Sequence, residues 1–447
     1  MTRHVQALVA EIGSTTTLVN AFNDLDTSPC FLGQGMAETS VLKGDVLIGL
    51  NGALENLKER LGCGILTWDV FFATSSAAGG LKMSVHGLVY DMTARAAKEA
   101  ALGAGAMVRM LTAGKLTRDD LDELLALRPG IILLAGGTDY GERETVLYNA
   151  RAVASLQMHE TPVLFAGNVQ AKSGVRRIFE EADLPLYVTE NVYPKLDLLN
   201  VAPARREIQR LFEKHIVAAP GMAHLREKVS GPVLPTPGAV MEAAQLLYGA
   251  IGPLVALDIG GATTDVHSVC EESEQIARIQ TSVQPLAKRT VEGDLGLYLN
   301  AETVLNMGEQ DVQALPADWP PVPQTPSQIA LAEKLAAKAG QIALRRHAGT
   351  LRHLYTPSGR TTLAEGKDLT GCKTLVATGG ALTRLPGRET ILAELRDMNG
   401  NGTMLYPKPG AMRILVDNHY IMASLGVLSL HHPQAALKLL RDSFGEK

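Results

Sequence analysis

Residues 5–12 alternate between apolar and polar positions, GSTTT follows as a tight polar turn, and LVNAF resumes the alternation. A period of two marks a half-buried strand, so the chain is predicted to open on a hairpin. Residues 45–61 carry apolar side chains at helical spacing, residues 70–73 read as a buried strand, and residues 92–111 read as an Ala-rich helix despite Gly103 and Gly105. Three short apolar runs then recur: 131–135 leading into GGTDYG, 163–166 into GN, and 186–189 into EN. Helical sequence at 142–155 and 172–182 separates them. Such alternation predicts a parallel sheet covered by helices. An amphipathic stretch runs to about His215, and the breaker-rich GPVLPTPG at 231–238 is the expected hinge between two halves.

In the second half a helix at 239–248 leads into a strand at 254–259 that ends in GGATTD and resumes as VHSV. The opening hairpin is thus repeated with Gly and Thr at the turn, and this internal symmetry organises the whole reading. A Pro-rich surface segment at 316–326, an Ala-rich helix at 327–346, a buried strand at 374–378 ending in GGALTRLPG and a helical region from Asn418 complete the chain. At 447 residues the length exceeds what one core usually organises. Two lobes are expected, 1–235 and 236–447, each with its own phosphate-type turn.

Composition narrows the function classes. With 46% hydrophobic and 20% charged residues and a net charge of −5, the chain is an ordinary globular protein. Its 42 basic residues against 47 acidic ones leave no surplus for nucleic acid, and Arg345, Arg346 and His347 read as a solvated helix end. The 4 cysteines, Cys30, Cys63, Cys270 and Cys372, form no CxxC pair, which argues against a cysteine metal site or a disulfide framework. The first residues lack a signal-peptide pattern, and no apolar run approaches the ~20 residues of a membrane span. A cytoplasmic protein is expected.

The repeated turn has a chemical reading. A triphosphate needs many donors at close range, and backbone N–H groups supply them only where side chains do not block the approach. In EIGSTTT, Gly13 permits a close turn while Ser14, Thr15 and Thr16 add hydroxyls; in DIGGATTD, Gly260 and Gly261, with Ala262, Thr263 and Thr264, do the same from the other half. Glu11 and Asp258 end the preceding strands, and a carboxylate there can hold magnesium through its water shell. Asp265 is placed to orient an attacking water or a magnesium-bound one. In ATGGALTRLPG, Gly379 and Gly380, followed by Ala381, would let the backbone pass under an adenine or ribose, although a plain strand-to-helix turn explains them equally well. The Asp139 and Tyr140 of GGTDYG are candidates for function or for a strand-end turn.

These three motifs stand in the order shared by actin, sugar kinases and DnaK-type chaperones, and the resemblance covers nearly the whole chain. Within that superfamily LDIGGATTDVHSV, ILLAGGTDYG, RTVEGDLG and VATGGALTRLPG look like the glutamate mutase accessory family called GlmL or MutL, unrelated to the mismatch-repair protein of that name. The resemblance implies an α/β actin-like ATPase fold: two lobes, each on a ribonuclease-H-like mixed sheet, with an additional α/β region in the first half. It further implies a chaperone-like ATPase, using ATP and magnesium, that reactivates an adenosylcobalamin-dependent mutase or aminomutase by exchanging damaged cofactor. By position, Gly13 to Thr16 and Gly260 to Thr264 would bind phosphates, Asp258 magnesium, and Gly379 to Ala381 adenosine. Glu292 and Asp294 in VEGDLG resemble a stretch that borders the nucleotide cleft in DnaK-type chaperones.

One residue departs from the superfamily, which usually has Asp where this chain has Glu11. The extra methylene pushes the carboxylate further into the cleft, and slow hydrolysis is the expected consequence. No counterpart stands out for the catalytic base that some relatives supply before the second loop. The alternatives are a small-molecule kinase of the same superfamily and a filament-forming actin relative; a homodimer is compatible with each reading.

Overall fold

The opening alternation folds as a hairpin because every second side chain has a core to face. In a computed structural model describing residues 1–40, 44–76, 81–218, 223–231, 233–308, 314–356, 359–400 and 402–446, β1 (Thr2–Ile12) pairs antiparallel with β2 (Thr16–Asn23), which pairs with β3 (Cys30–Glu38). Helix α1 (Val46–Leu61) starts at Asp45, whose carboxylate accepts from the Leu47 N–H, and returns the chain to β4 (Ile65–Ser75), parallel to β1.

An inserted region follows. It comprises β5 (Lys82–Gly87), α2 (Arg95–Gly103), β6 (Met107–Ala113), α3 (Arg118–Leu127), β7 (Ile131–Leu134), α4 (Glu144–Ser155), β8 (Val163–Phe165), α5 (Lys172–Glu181), β9 (Leu186–Val188) and α6 (Val201–Ala218). Its sheet has the order β6-β5-β7-β8-β9 and every pair is parallel, as the strand–helix alternation predicts. One expectation is corrected. The helix expected at 92–111 ends at Gly103, preceded by a π-helical turn at Tyr90–Ala94, and Met107 onward is the edge strand β6. Gly105 makes the break: its φ of +96° is costly for other residues, and a Cβ there would lie 2.7 Å from the Gly238 nitrogen.

The chain then re-enters the first sheet as β10 (Val233–Pro235), parallel to β4, and α7 (Thr236–Ile251) begins at once. Within the stretch 231–238, expected as the hinge between the halves, residues from Val233 are strand and from Thr236 helix; Pro232 lies outside the described residues. Pro235 is tolerated because β10 is an edge strand, where a missing N–H breaks no ladder.

The second half repeats the first. It contains β11 (Leu254–Ile259), β12 (Thr264–Val269), α8 (Glu274–Ala277), β13 (Ala287–Glu292), α9 (Ala301–Asn306), α10 (Pro326–His347), the hairpin β14 (Thr350–Thr356) and β15 (Gly359–Glu365), β16 (Thr374–Thr378), α11 (Gly379–Arg384), α12 (Arg388–Arg396), β17 (Arg413–Val416), α13 (Met422–Leu428) and α14 (Pro433–Phe444). The first sheet has the order β3-β2-β1-β4-β10 and the second β13-β12-β11-β16-β17, with the first two neighbour pairs antiparallel and the last two parallel in each. Two mixed sheets of this ribonuclease-H-like order, one per half, are the actin-like ATPase fold. The inserted region stands between β4 and β10, where the second half has only α11 and α12.

One buried cluster belongs to both halves: Ala7, Val9 and Phe72 of the first sheet share it with Leu254, Ala256 and Val376 of the second. Helix α7 packs on strands of the second sheet, α13 on strands of the first, and the two helices pack on each other. Their contact requires Gly426, where a Cβ would sit 1.8 Å from the Ala239 carbonyl oxygen. Gly426→Ala is expected to lower stability by about 1–3 kcal/mol. Gly249→Ala, on the exposed side of α7 with no atom near its Cβ position, is expected to raise it by up to about 1 kcal/mol. Denaturant midpoints of the two variants check both signs.

Candidate functional site

The two repeated turns close in the same way. The Gly13 N–H donates to the Thr16 carbonyl at 2.9 Å, and the Gly260 N–H donates to the Thr263 carbonyl at 2.9 Å. At Gly13 a Cβ would lie 2.7 Å from the Thr16 oxygen, so the closeness of this turn excludes a side chain. Thr39 braces the first loop, its hydroxyl donating to the Gly13 carbonyl at 2.8 Å and its N–H to the Thr15 carbonyl. The second loop is braced by the chain after β13: Leu297, Tyr298 and Leu299 donate to the carbonyls of Gly260 and Gly261. The loops adjoin, since a Cβ on Gly261 would be 3.5 Å from the Thr15 hydroxyl. The third loop adjoins them as well: a Cβ on Gly379 would fall 2.3 Å from Asp258 Oδ1, while Gly380 faces open space.

Strand register puts Glu11 and Asp258 in equivalent places, each one residue before the last of its strand. Glu11 is buried; its Oε1 accepts from the Tyr420 hydroxyl at 3.4 Å and its Oε2 has no partner. Burial, then the charges of Asp258 and Asp417, push the Glu11 carboxyl up to about 8, with the Tyr420 hydroxyl pulling weakly the other way. Asp258 is partly exposed; burial first, then Asp265, raise it to about 7 against the opposing charge of Arg289. Burial and the neighbouring Glu11 lift the Tyr420 phenol well above its usual range.

Asp265 is opposite Asp258 on the hairpin. Its Oδ1 accepts from Arg289 Nε at 2.9 Å and its Oδ2 from the Thr263 hydroxyl at 3.0 Å. Arg289 is 1% exposed and also donates through Nη1 to the carbonyls of Leu102 and Ala106 in the inserted region. Glu292 and Asp294 border the second loop but are held by Arg346, which bonds both carboxylates. That contact lowers the Asp294 carboxyl, whereas burial outweighs it at Glu292 and raises that group. In the inserted region the Asp139 side chain serves its own loop, its Oδ1 accepting from the Val169 N–H and Asn191, while Tyr140 donates its backbone N–H to Asn168 and leaves its ring exposed.

Sequence reasoning missed Asp417 and Tyr420. Asp417 accepts from Thr378, Ser443 and the N–H groups of Ile421 and Met422, so it starts α13, and it is one of the neighbours that raise Glu11. Its signal is present, an apolar run RILV ending in an acid, as in LVALD. Tyr420 holds a φ of +52°, a strained value beside the site.

Two carboxylates with an orphaned oxygen suit a magnesium ion kept in its water shell. Among the described residues no group of three or more His, Cys, Asp or Glu side chains is arranged to ligate a metal directly. No helix among them is long and apolar enough to cross a membrane.

The family described as MutL protein matches residues 7–444. Protein MutL of Clostridium tetanomorphum is 37% identical over 464 residues, covering 97% of this chain and 98% of that protein. Among solved structures, nucleotide-free acetone carboxylase is similar at a TM-score of 0.41 and 13% identity, over 94% of this chain and 70% of that one. Nucleotide-free diol dehydratase-reactivating factor is similar at a TM-score of 0.37 and 11% identity, over 95% of this chain and 99% of that one. Both overlaps are coarse; the fold rests on the doubled strand order.

A carboxyl raised by folding binds its proton more tightly in the native state, so its contribution to stability is full below the unfolded value and is lost as pH rises through the folded one. Without nucleotide or magnesium, the thermal midpoint should fall between pH 5 and pH 8.5 through Glu11 and Asp258. Glu11→Gln should flatten that fall, matching the parent at pH 5 and exceeding it at pH 8.5. A midpoint profile unchanged by the substitution would contradict the assignment.

Proposed function

This chain belongs to the MutL protein family, and from that premise we propose that it is a chaperone-like ATPase that reactivates an adenosylcobalamin-dependent mutase, of the glutamate mutase or aminomutase type, by promoting exchange of damaged cofactor. The nucleotide half of this reading is carried by one observation: two identically closed glycine turns meet beside a pair of strand-end carboxylates, Glu11 buried and Asp258 partly exposed. The mutase half rests on the family resemblance of the long motifs.

Gly13, Ser14, Thr15 and Thr16 from one lobe and Gly260 to Thr264 from the other would hold the phosphates, Gly379, Gly380 and Ala381 the adenosine, and Glu11 with Asp258 magnesium through water. Magnesium neutralises phosphate charge and ATP supplies the bond whose hydrolysis drives the cycle. Asp265 acts as a positioning residue, since it fixes the Thr263 hydroxyl on one side and Arg289 on the other. Glu292 and Asp294 stiffen the rim of the second loop through Arg346. The lobes 1–235 and 236–447 close on bound phosphate and relax when hydrolysis removes a bridge. Through Arg289 that movement reaches the carbonyls of Leu102 and Ala106, so the inserted region is the part we assign to the mutase.

The deciding experiment measures magnesium-dependent ATP hydrolysis and recovery of a cobalamin-dependent mutase inactivated by turnover. Asp258→Ala is expected to cut hydrolysis by roughly 10²-fold or more and to abolish recovery. If ATP neither binds nor is hydrolysed, the nucleotide reading falls. If it is hydrolysed without recovery, kinase activity and ATP-dependent sedimentation decide between the kinase and filament alternatives.

A further inference from the structure

A cavity of about 120 Å³ lies where the inserted region meets the second lobe, far along α2 from the end that Arg289 grips. The π-helical turn Tyr90–Ala94 and the first turns of α2 form one wall, the chain after β9 a second, and the loop before β13 a third. π-Turns are uncommon and collect at functional sites.

The charges on its walls do not balance. Asp91, Glu99 and Asp197 line it against the single guanidinium of Arg95, and Arg95 is already bonded to the Ser282 hydroxyl. Glu99 sits at the buried floor, its side chain 6% exposed. Its Oε1 is 3.7 Å from Lys367 Nζ and its Oε2 has no donor. One position beyond the lining residue Val283, Gln284 buries both amide atoms without partners. Unpaired polar atoms in a buried seam are costly, and a bound donor removes the cost. Metal ions suit the walls poorly, because among the described residues no direct ligand set exists. Met92, Leu196, Leu199 and Val283 give the lining its apolar part, beside Tyr193 and Thr281.

We propose that this cavity binds a small molecule carrying a protonated primary amine on a short apolar skeleton. The ammonium donates to Glu99 at the floor, the skeleton lies against Met92 and Leu199, and Asp91 and Asp197 at the exposed rim draw the cation in. An α-amino acid would add a carboxylate for Arg95; a simple amine would not. The ligand fills the joint between α2 and the second lobe, so its binding stiffens the contact that Arg289 also serves.

Isothermal titration of the full chain without nucleotide, using n-propylammonium, L-2-aminobutyrate and butyrate, separates these sources. Both amines are expected to bind and butyrate is not; Glu99→Gln weakens both amines at least about tenfold, and Arg95→Ala weakens only L-2-aminobutyrate. Absence of binding by either amine up to about 10 mM, or binding unchanged in Glu99→Gln, overturns the proposal. Should Glu99→Gln fail to fold, Asp197→Asn at the rim is expected to weaken binding about threefold, and no weakening overturns it equally. ATP titration of the same samples is independent, so loss of the nucleotide reading leaves this result intact, and the reverse.

Discussion

A single guanidinium holds the second lobe and the inserted region in register. Arg289 extends from the second sheet, ties Asp265 on one side and caps two carbonyls of the inserted region on the other. A charge so deeply buried is tolerable only with every donor matched, and removing either partner leaves the other stranded in a medium that solvates it poorly. The constraint therefore runs both ways: Asp265 cannot shift without Arg289, and Arg289 cannot shift without α2. Because Asp265 sits across the hairpin from Asp258, the electrostatics of the cleft and the seating of the inserted region share one arginine.

A second constraint acts at the base. The two halves do not own separate cores there; α7 and α13 fill a common one between the sheets. Buried polar contacts reinforce it, with Asn20 bonded to Ser424 and Gln34 to the carbonyls of His419 and Tyr420. The first-lobe strands thus reach the segment that delivers Tyr420 to Glu11, and the carboxylate cluster is built from both halves at once.

Much of the fold is legible in the sequence because both glycine–threonine hairpins follow clear strand runs, and the runs at 131 and 163 are fully apolar, as strands covered on both faces must be. Legibility fails where packing overrides local pattern. β3 carries Gly33 and Gly35, poor strand residues, because α1 crosses so closely that a Cβ on Gly35 would lie 2.0 Å from the Ala53 oxygen. β6 is an edge strand with mixed polarity and reads as more helix. In the site, residues on the glycine turns announce themselves, whereas Tyr420 meets Glu11 only through contacts 409 positions apart. Asp265, Glu292 and Asp294 show the opposite gap: their residue types are visible, but the arginines that occupy them belong to other elements.

The edge strand β10 also sets an order of events during synthesis. β4 is complete at Ser75, yet its neighbour arrives only with Val233, after the whole inserted region has emerged. At about 5–20 residues per second, β4 presents an unpaired edge for on the order of ten seconds or more. Phe71 shares this wait, since its N–H and carbonyl are satisfied by Ser230. An inserted region that folds promptly on its own parallel sheet shortens the exposure by drawing the two ends together, and one that folds slowly lengthens the window for mispairing.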